Sequence, residues 1–200
     1  MKTITVGVLA FQGDVEEHIR ATEKAAARLK RAAAVRAVRT REDLRALDAL
    51  IIPGGESTTL QKLCEREGML ADMKKIKNIF GTCAGAILLS KTVHHKTKGQ
   101  KTLALMDIEV DRNAYGKQNE SFEENINTPL GAMNAIFIRA PRITRVGTSV
   151  KVLARNGSEV VACEERAGNA YYLALAFHPE LTSTVFHEYF LRGIQEAIKL

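Results

Sequence analysis

Ile79-Phe80-Gly81-Thr82-Cys83-Ala84-Gly85, continued by Ala86-Ile87-Leu88-Leu89, runs from a short apolar strand straight into an apolar helix with a cysteine at the junction. Glycines stand two residues to either side of Cys83. A strand that turns into a helix without a loop leaves no room for bulk at those flanking positions and lifts the middle side chain clear of the sheet. This is the nucleophile-elbow arrangement, here with Cys in place of Ser. The same pentapeptide also suits a small buried cysteine in a glycine-rich turn, so its chemistry depends on what the rest of the chain brings to it.

The alternation continues toward the N-terminus. Asp48 to Pro53 is an apolar strand broken by Gly54-Gly55, after which Ser57 or Thr58 is placed to cap a helix with Leu60, Leu63 and Cys64 on one face. Before it, Thr3 to Phe11 is a β-branched run ending at Gln12-Gly13, and Asp14 with Glu17 marks a helix start. That helix runs through Ile19 and the alanines to Leu29, Val35 and Val38 mark a second strand, and Thr40 to Asp43 a short capped helix. Strand and helix in turn predict a mostly parallel sheet with helices on both faces. Toward the C-terminus, 103–110, 135–138, 150–154, 159–163 and 171–177 read as strands, and a helix from about Thr184 to Ile198 closes the chain. The polar stretches Thr92 to Gln100 and Asn113 to Gly131 read as loops, neither biased enough to be a linker.

A nucleophilic cysteine needs a base, and the base needs an acceptor on its other nitrogen. Phe177-His178-Pro179-Glu180 ends a strongly apolar strand and offers both, with Pro179 stiffening the turn between imidazole and carboxylate. In a parallel sheet the carboxyl ends of the strands share one edge, so Cys83, His178 and the Gly54-Gly55 loop converge there. The amides of Gly55 and Ala84 are then placed to form an oxyanion hole. Cys64 and Cys163 read as core residues. His94-His95 have no carboxylate or cysteine at ligand spacing, so no metal site is expected, and His18 and His187 fall on helices with no chemical role assigned.

Composition excludes several classes. With 200 residues, 46% hydrophobic and 26% charged, the chain fits one folded domain over 1–200. It holds no apolar run of the ~20 residues a membrane span needs, and Met1-Lys2-Thr3-Ile4 enters a strand pattern, not a signal peptide, which points to the cytoplasm. Three widely spaced cysteines suggest neither disulfides nor zinc. The net charge of +6 is spread over separate elements without interleaved aromatics, the pattern of a solvated surface and not of a nucleic-acid site.

The strand-ending Gly54-Gly55-Glu56, the Gly81 to Gly85 elbow and the late His178-Pro179-Glu180 resemble the triad glutamine amidotransferases. Gly54 to Thr59, Asp111-Arg112-Asn113-Ala114-Tyr115-Gly116, Phe137-Ile138-Arg139-Ala140-Pro141 and Phe177 to Thr182 look, within that family, like the glutaminases of pyridoxal 5'-phosphate synthase. The resemblance implies a three-layer, flavodoxin-like α/β fold. It implies Cys83 as nucleophile, His178 as acid and base, and Glu180 as its partner, with Gly55, Glu56, Ser57, Arg112, Ile138 and Arg139 holding glutamine. It further implies a synthase subunit as ammonia acceptor and no cofactor in this chain. Ala25 to Val35 is alanine-rich where the family usually puts a glycine-marked turn. Two other readings share part of this pattern. Another triad amidotransferase or cysteine hydrolase would lack the Asp111 to Gly116 and Phe137 to Pro141 segments, and a non-enzymatic regulator on the same scaffold would lack a triad residue.

Overall fold

A computed structural model describes residues 3–112 and 121–198. Its strands are β1 (Ile4–Leu9), β2 (Ala33–Val38), β3 (Ala49–Ile52), β4 (Asn78–Thr82), β5 (Ser90–His94), β6 (Met106–Asp111), β7 (Phe122–Thr128), β8 (Gly131–Phe137), β9 (Arg142–Val146), β10 (Val150–Asn156), β11 (Glu159–Ala167) and β12 (Ala170–Leu175). The helices are α1 (Val15–Arg28), α2 (Ser57–Arg66), α3 (Leu70–Met73), α4 (Ala84–Leu89) and α5 (Val185–Ile198).

The strands run in the order β2-β1-β3-β4-β12-β11-β10-β7-β8, with β5, β6 and β9 joined to β11 through β9. From β2 to β12 all neighbours are parallel, which is the flavodoxin-like order with β12 in the fifth place. Beyond β12 the sheet continues antiparallel.

Two cores lie on the two faces of this sheet. In β3, Ala49 and Ile51 point to the face covered by α1 and α5, while Leu50 and Ile52 point to the face covered by α2, α3 and α4. The period of two is what a strand covered on both sides requires, and it explains why β3 carries no polar residue at all. None of the described helices is long and apolar enough to cross a membrane.

Several local expectations are corrected. Thr92 to Gln100 is not all loop, because β5 reaches His94. The segment from Asn113 to Gly131 contains β7, while residues 113–120, including Asn113 to Gly116 of the quoted motif, lie outside the described residues. Residues 103–105 precede β6 without pairing as strand. In α2 the cap is neither Ser57 nor Thr58 but Glu56, whose carboxylate accepts from Thr58 N at 3.0 Å and Thr59 N at 2.6 Å. Asp14 occupies the N-cap position of α1 without a side-chain capping bond. The alanine-rich stretch closes α1 through Lys30 at φ +50°, with Arg31 N donating to Ala26 O at 2.9 Å, so a lysine takes the left-handed position usually left to glycine.

The elbow is built by contact between backbones. A Cβ on Gly85 would lie 2.1 Å from the carbonyl oxygen of Ile52 in β3, and one on Gly81 would lie 2.5 Å from the carbonyl carbon of Gly85. Gly85→Ala should therefore destabilise the fold by about 1–3 kcal/mol through overpacking. A denaturant midpoint unchanged from the parent protein would refute this account of the elbow.

Candidate functional site

Five loops meet at the carboxyl edge of the parallel strands. Gln12 to Asp14 follow β1, Gly54 to Glu56 follow β3, Cys83 follows β4, Ile138-Arg139 follow β8 and His178 follows β12, with Arg112 arriving from β6. They enclose a cleft of about 350 Å³ lined by Asp14, Gly55, Glu56, Ser57, Cys83, Arg112, Ile138, Arg139 and His178 among others. That volume suits a small metabolite. Every side chain nominated from sequence as nucleophile, base or glutamine holder lines the cleft, whereas Glu180 sits behind His178 and Ala84 heads α4.

Cys83 carries the strain of the elbow, at φ +48° and ψ −104°. Its N–H donates to Leu175 O at 2.8 Å, which ties the turn to the end of β12, and its thiol points to Ile138 O at 3.8 Å. A non-glycine residue in such a conformation costs of order 1–3 kcal/mol and persists only when its surroundings fix it. His178 lies across the cleft, its N–H donating to Ile136 O of β8 at 2.9 Å. Its Nδ1 is 2.8 Å from Glu180 Oε1 and 3.1 Å from Asp14 Oδ2. Gly54 packs on the imidazole so closely that a Cβ there would lie 2.4 Å from Cε1.

The far end of the cleft is a pre-assembled polar clamp. Arg112 Nη2 donates to Glu56 Oε1 at 2.8 Å, and Nη1 donates to Thr58 Oγ1 at 2.8 Å, Thr97 Oγ1 at 2.8 Å and Gln100 Oε1 at 3.0 Å. Buried Gln100 also donates to Ser57 Oγ at 3.0 Å, so one amide orients two of the sequence-nominated residues. Gln12 donates from Nε2 to Glu56 O at 2.6 Å and packs where a Cβ on Gly55 would stand.

Residues 8–196 match the model of the SNO glutamine amidotransferase family. The chain belongs to that family.

Relatives of this SNO chain include the pyridoxal 5'-phosphate synthase subunit PdxT of Thermococcus onnurineus, 44% identical over 197 residues that cover 94% of this chain and 98% of the relative. PdxT of Brevibacillus brevis is 46% identical over 202 residues, covering 96% and 97%. A solved crystal structure of a glutamine amidotransferase superposes with a TM-score of 0.80 at 44% identity, over 95% of this chain and 98% of that one. The three-layer α/β fold expected from sequence is thus the fold of a solved glutamine amidotransferase.

Electrostatics sorts the ionisable groups of this SNO family site. Burial disfavours a charged His178, but hydrogen bonds to Cys83 and Glu180 and the charges of both outweigh it and raise its pKa to about 10. Burial would raise the Glu180 carboxyl, yet His18 and His178 pull it well below the usual carboxylate range. Desolvation of Glu56 is likewise overcome by the N–H and hydroxyl groups of Thr58 and Thr59, which bring it to about 2. Burial pushes the thiols of Cys64 and Cys163 up to about 12, which leaves them poor nucleophiles. Asp14, His178 and Glu180 each bring one ligand atom within 4.8 Å of the others. The Nδ1 of His178 is already engaged by Glu180 at 2.8 Å and by Asp14 at 3.1 Å, so the three groups hold one another.

Sequence reasoning passed over Gln12, Asp14, Thr97, Gln100, His18 and His187. His18 carried a legible signal, since it shares the buried face of α1 with Ala21, Thr22 and Ala25 at helical spacing. His94 and His95, read as lacking carboxylate company, each have it in space, from Glu109 and Asp111 at 2.9 Å.

Two of the buried imidazoles, His178 and His187, are shifted in opposite directions. His178, raised to about 10, contributes stability that is fully present below its unfolded value of ~6.5 and is lost as pH rises through about 10. His187 is held neutral chiefly by burial, down to about 3, so its contribution is lost as pH falls below ~6.5. Imidazole NMR titration should find these two limits, and Cys83→Ala should lower the His178 value. A His178 that deprotonates near 6.5 in the parent protein would contradict the pairing.

Proposed function

We propose that the chain hydrolyses L-glutamine to L-glutamate and ammonia, and that the ammonia passes to a synthase subunit that builds pyridoxal 5'-phosphate. The observation that carries this reading is a strained Cys83 that lines one cleft with His178, an imidazole whose Nδ1 is held by Glu180. Membership of the glutamine amidotransferase family over 8–196 supports it, as do relatives whose name makes them subunits of that synthase.

Cys83 Sγ attacks the side-chain amide carbon of glutamine, and the N–H groups of Gly55 and Ala84 take the oxyanion. His178 gives its proton to the departing ammonia, leaving a thioester on Cys83. It then removes a proton from the water that attacks the thioester, and glutamate leaves. Glu180 keeps the imidazole oriented throughout. Arg112 receives the α-carboxylate, while Glu56 and the carbonyls at Ile138 and Arg139 take the α-ammonium, with Ser57 completing the cradle. The chemistry as written uses no cofactor. We read residues 1–200 as one glutaminase domain, working in the cytoplasm.

Cys83→Ala should lower glutamine turnover by about 10⁴-fold or more with the fold intact, and a glutamine-mimicking electrophile should label Cys83 ahead of Cys64 and Cys163. Turnover near the parent value, or mass spectrometry placing the label on Cys64 or Cys163, would remove Cys83 from the mechanism.

Ammonia released without an acceptor is wasted, so activity should depend on the synthase subunit. The Gly54-Gly55 peptide supplies a means, because Gly55 at φ +127° lets that peptide turn either its N–H or its carbonyl toward the reacting amide. Losing one oxyanion donor costs ~10² to 10³ in turnover, so fixing this peptide is a sufficient switch. The isolated chain should hydrolyse glutamine weakly, kcat should rise about tenfold or more with the synthase subunit, and Gly55→Ala should blunt the rise. Equal turnover by the chain alone and by the complex would rule out this gating while leaving the triad untouched.

A further inference from the structure

Behind the cleft the fold buries two more histidines, His18 of α1 at 0% exposure and His187 of α5 at 1%. His18 Nε2 lies 3.1 Å from Thr82 Oγ1 and 3.3 Å from Glu180 Oε2, while its Nδ1 lies 3.0 Å from His187 Nε2. These contacts close a ring. Thr82 precedes Cys83 in the chain, Cys83 and His178 line the same cleft, His178 is held by Glu180, and Glu180 faces the imidazole that returns to Thr82.

The positions of the protons follow from what is left over. Among the described residues His187 Nδ1 is buried without a hydrogen-bond partner. A buried N–H without an acceptor is the rarer defect and a bare lone pair the more tolerable one. The ring proton of His187 therefore sits on Nε2 and is donated to His18 Nδ1. His18 then presents its own N–H at Nε2, into the gap between Thr82 Oγ1 and Glu180 Oε2. Glu180 Oε2 has no aligned hydrogen bond of its own, so the contact at 3.3 Å acts on it as an electrostatic one. The ring edges of Phe80 and the carboxylate leave His18 no other polar neighbour among the contacts described, with Phe80 at 6.1 Å between centroids and nearly perpendicular.

We propose that His18 is a positioning residue for the triad: its Nε2–H, set between Thr82 and Glu180, holds the Glu180 carboxylate so that Oε1 stays aimed at His178. The idea rests on the glutaminase reading above for its kinetic consequence, though not for its proton assignment. His18 does not line the cleft, so its loss affects the order of the reacting groups and not the binding of glutamine.

Two measurements test it. In the parent protein, 15N NMR of the imidazoles should find His18 protonated at Nε2 and bare at Nδ1; a proton on Nδ1 overturns the proposal whatever the variants do. With the synthase subunit present, His18→Gln and His18→Asn are then compared, because a glutamine amide reaches the place of Nε2 and an asparagine amide only that of Nδ1. His18→Asn should lower kcat about 10- to 100-fold with KM for glutamine within about twofold, the cost of a misplaced base, and His18→Gln should recover most of the loss. Equal losses in the two variants, or no loss in His18→Asn, reduce His18 to a packing residue and overturn the proposal. A parent protein that hydrolyses no glutamine sinks the glutaminase reading instead, and the tautomer measurement still decides the placement of the proton.

Discussion

The close approach of Gly85 to the Ile52 carbonyl is the constraint on which the site depends. Because no side chain fits between the first turn of α4 and the end of β3, the helix starts directly against the sheet. Cys83, caught at the junction, is forced to positive φ and its side chain projects from the edge. The same edge receives Gly54 from β3, which is small enough to let the Cε1 edge of His178 come close to it. Glycine is used here for nearness, and in each case what approaches is a backbone or a ring.

Around this steric frame the structure arranges charge by burial. A carboxylate as deeply placed as Glu180 is tolerable because imidazoles face both of its oxygens. The clamp at the other end follows the same economy with partners of a different kind. Glu56 caps α2 with one set of lone pairs and receives Arg112 with another, so helix end, guanidinium and cleft wall share a single carboxylate. Both ends of the cleft are thereby rigid before any ligand enters.

Much of this was legible in the sequence where one residue type answers one physical need. β3 is apolar at every position because it is covered on both faces, and the elbow glycines are dictated by contact. β5, β7 and β9 were not legible because they are short or mixed in polarity, with exposed positions that break the alternation. The cap of α2 was misread by one or two residues, since Glu56, Ser57, Thr58 and Thr59 all present oxygens and only the fold decides which reaches the free N–H groups. Asp14 has the sequence of a cap, and tertiary contact turns its carboxylate to His178 instead. Gln100 gave no signal, because a buried amide in a polar loop looks like any solvated one.

β8 is the last strand of the sheet, and an outermost strand with free N–H and carbonyl groups invites addition of a strand from another molecule. Here that border is occupied by the turn after β12. His178 N–H donates to Ile136 O at 2.9 Å, and Thr182 Oγ1 donates to Asn134 O at 2.8 Å, so alternate carbonyls of β8 are already taken. The segment that carries the imidazole thus also acts as a selvage, finishing the sheet so that it does not fray into aggregates. Substitutions in 178–182 are then constrained twice over, by the pairing of His178 with Glu180 on one side of the turn and by the closure of the sheet edge on the other.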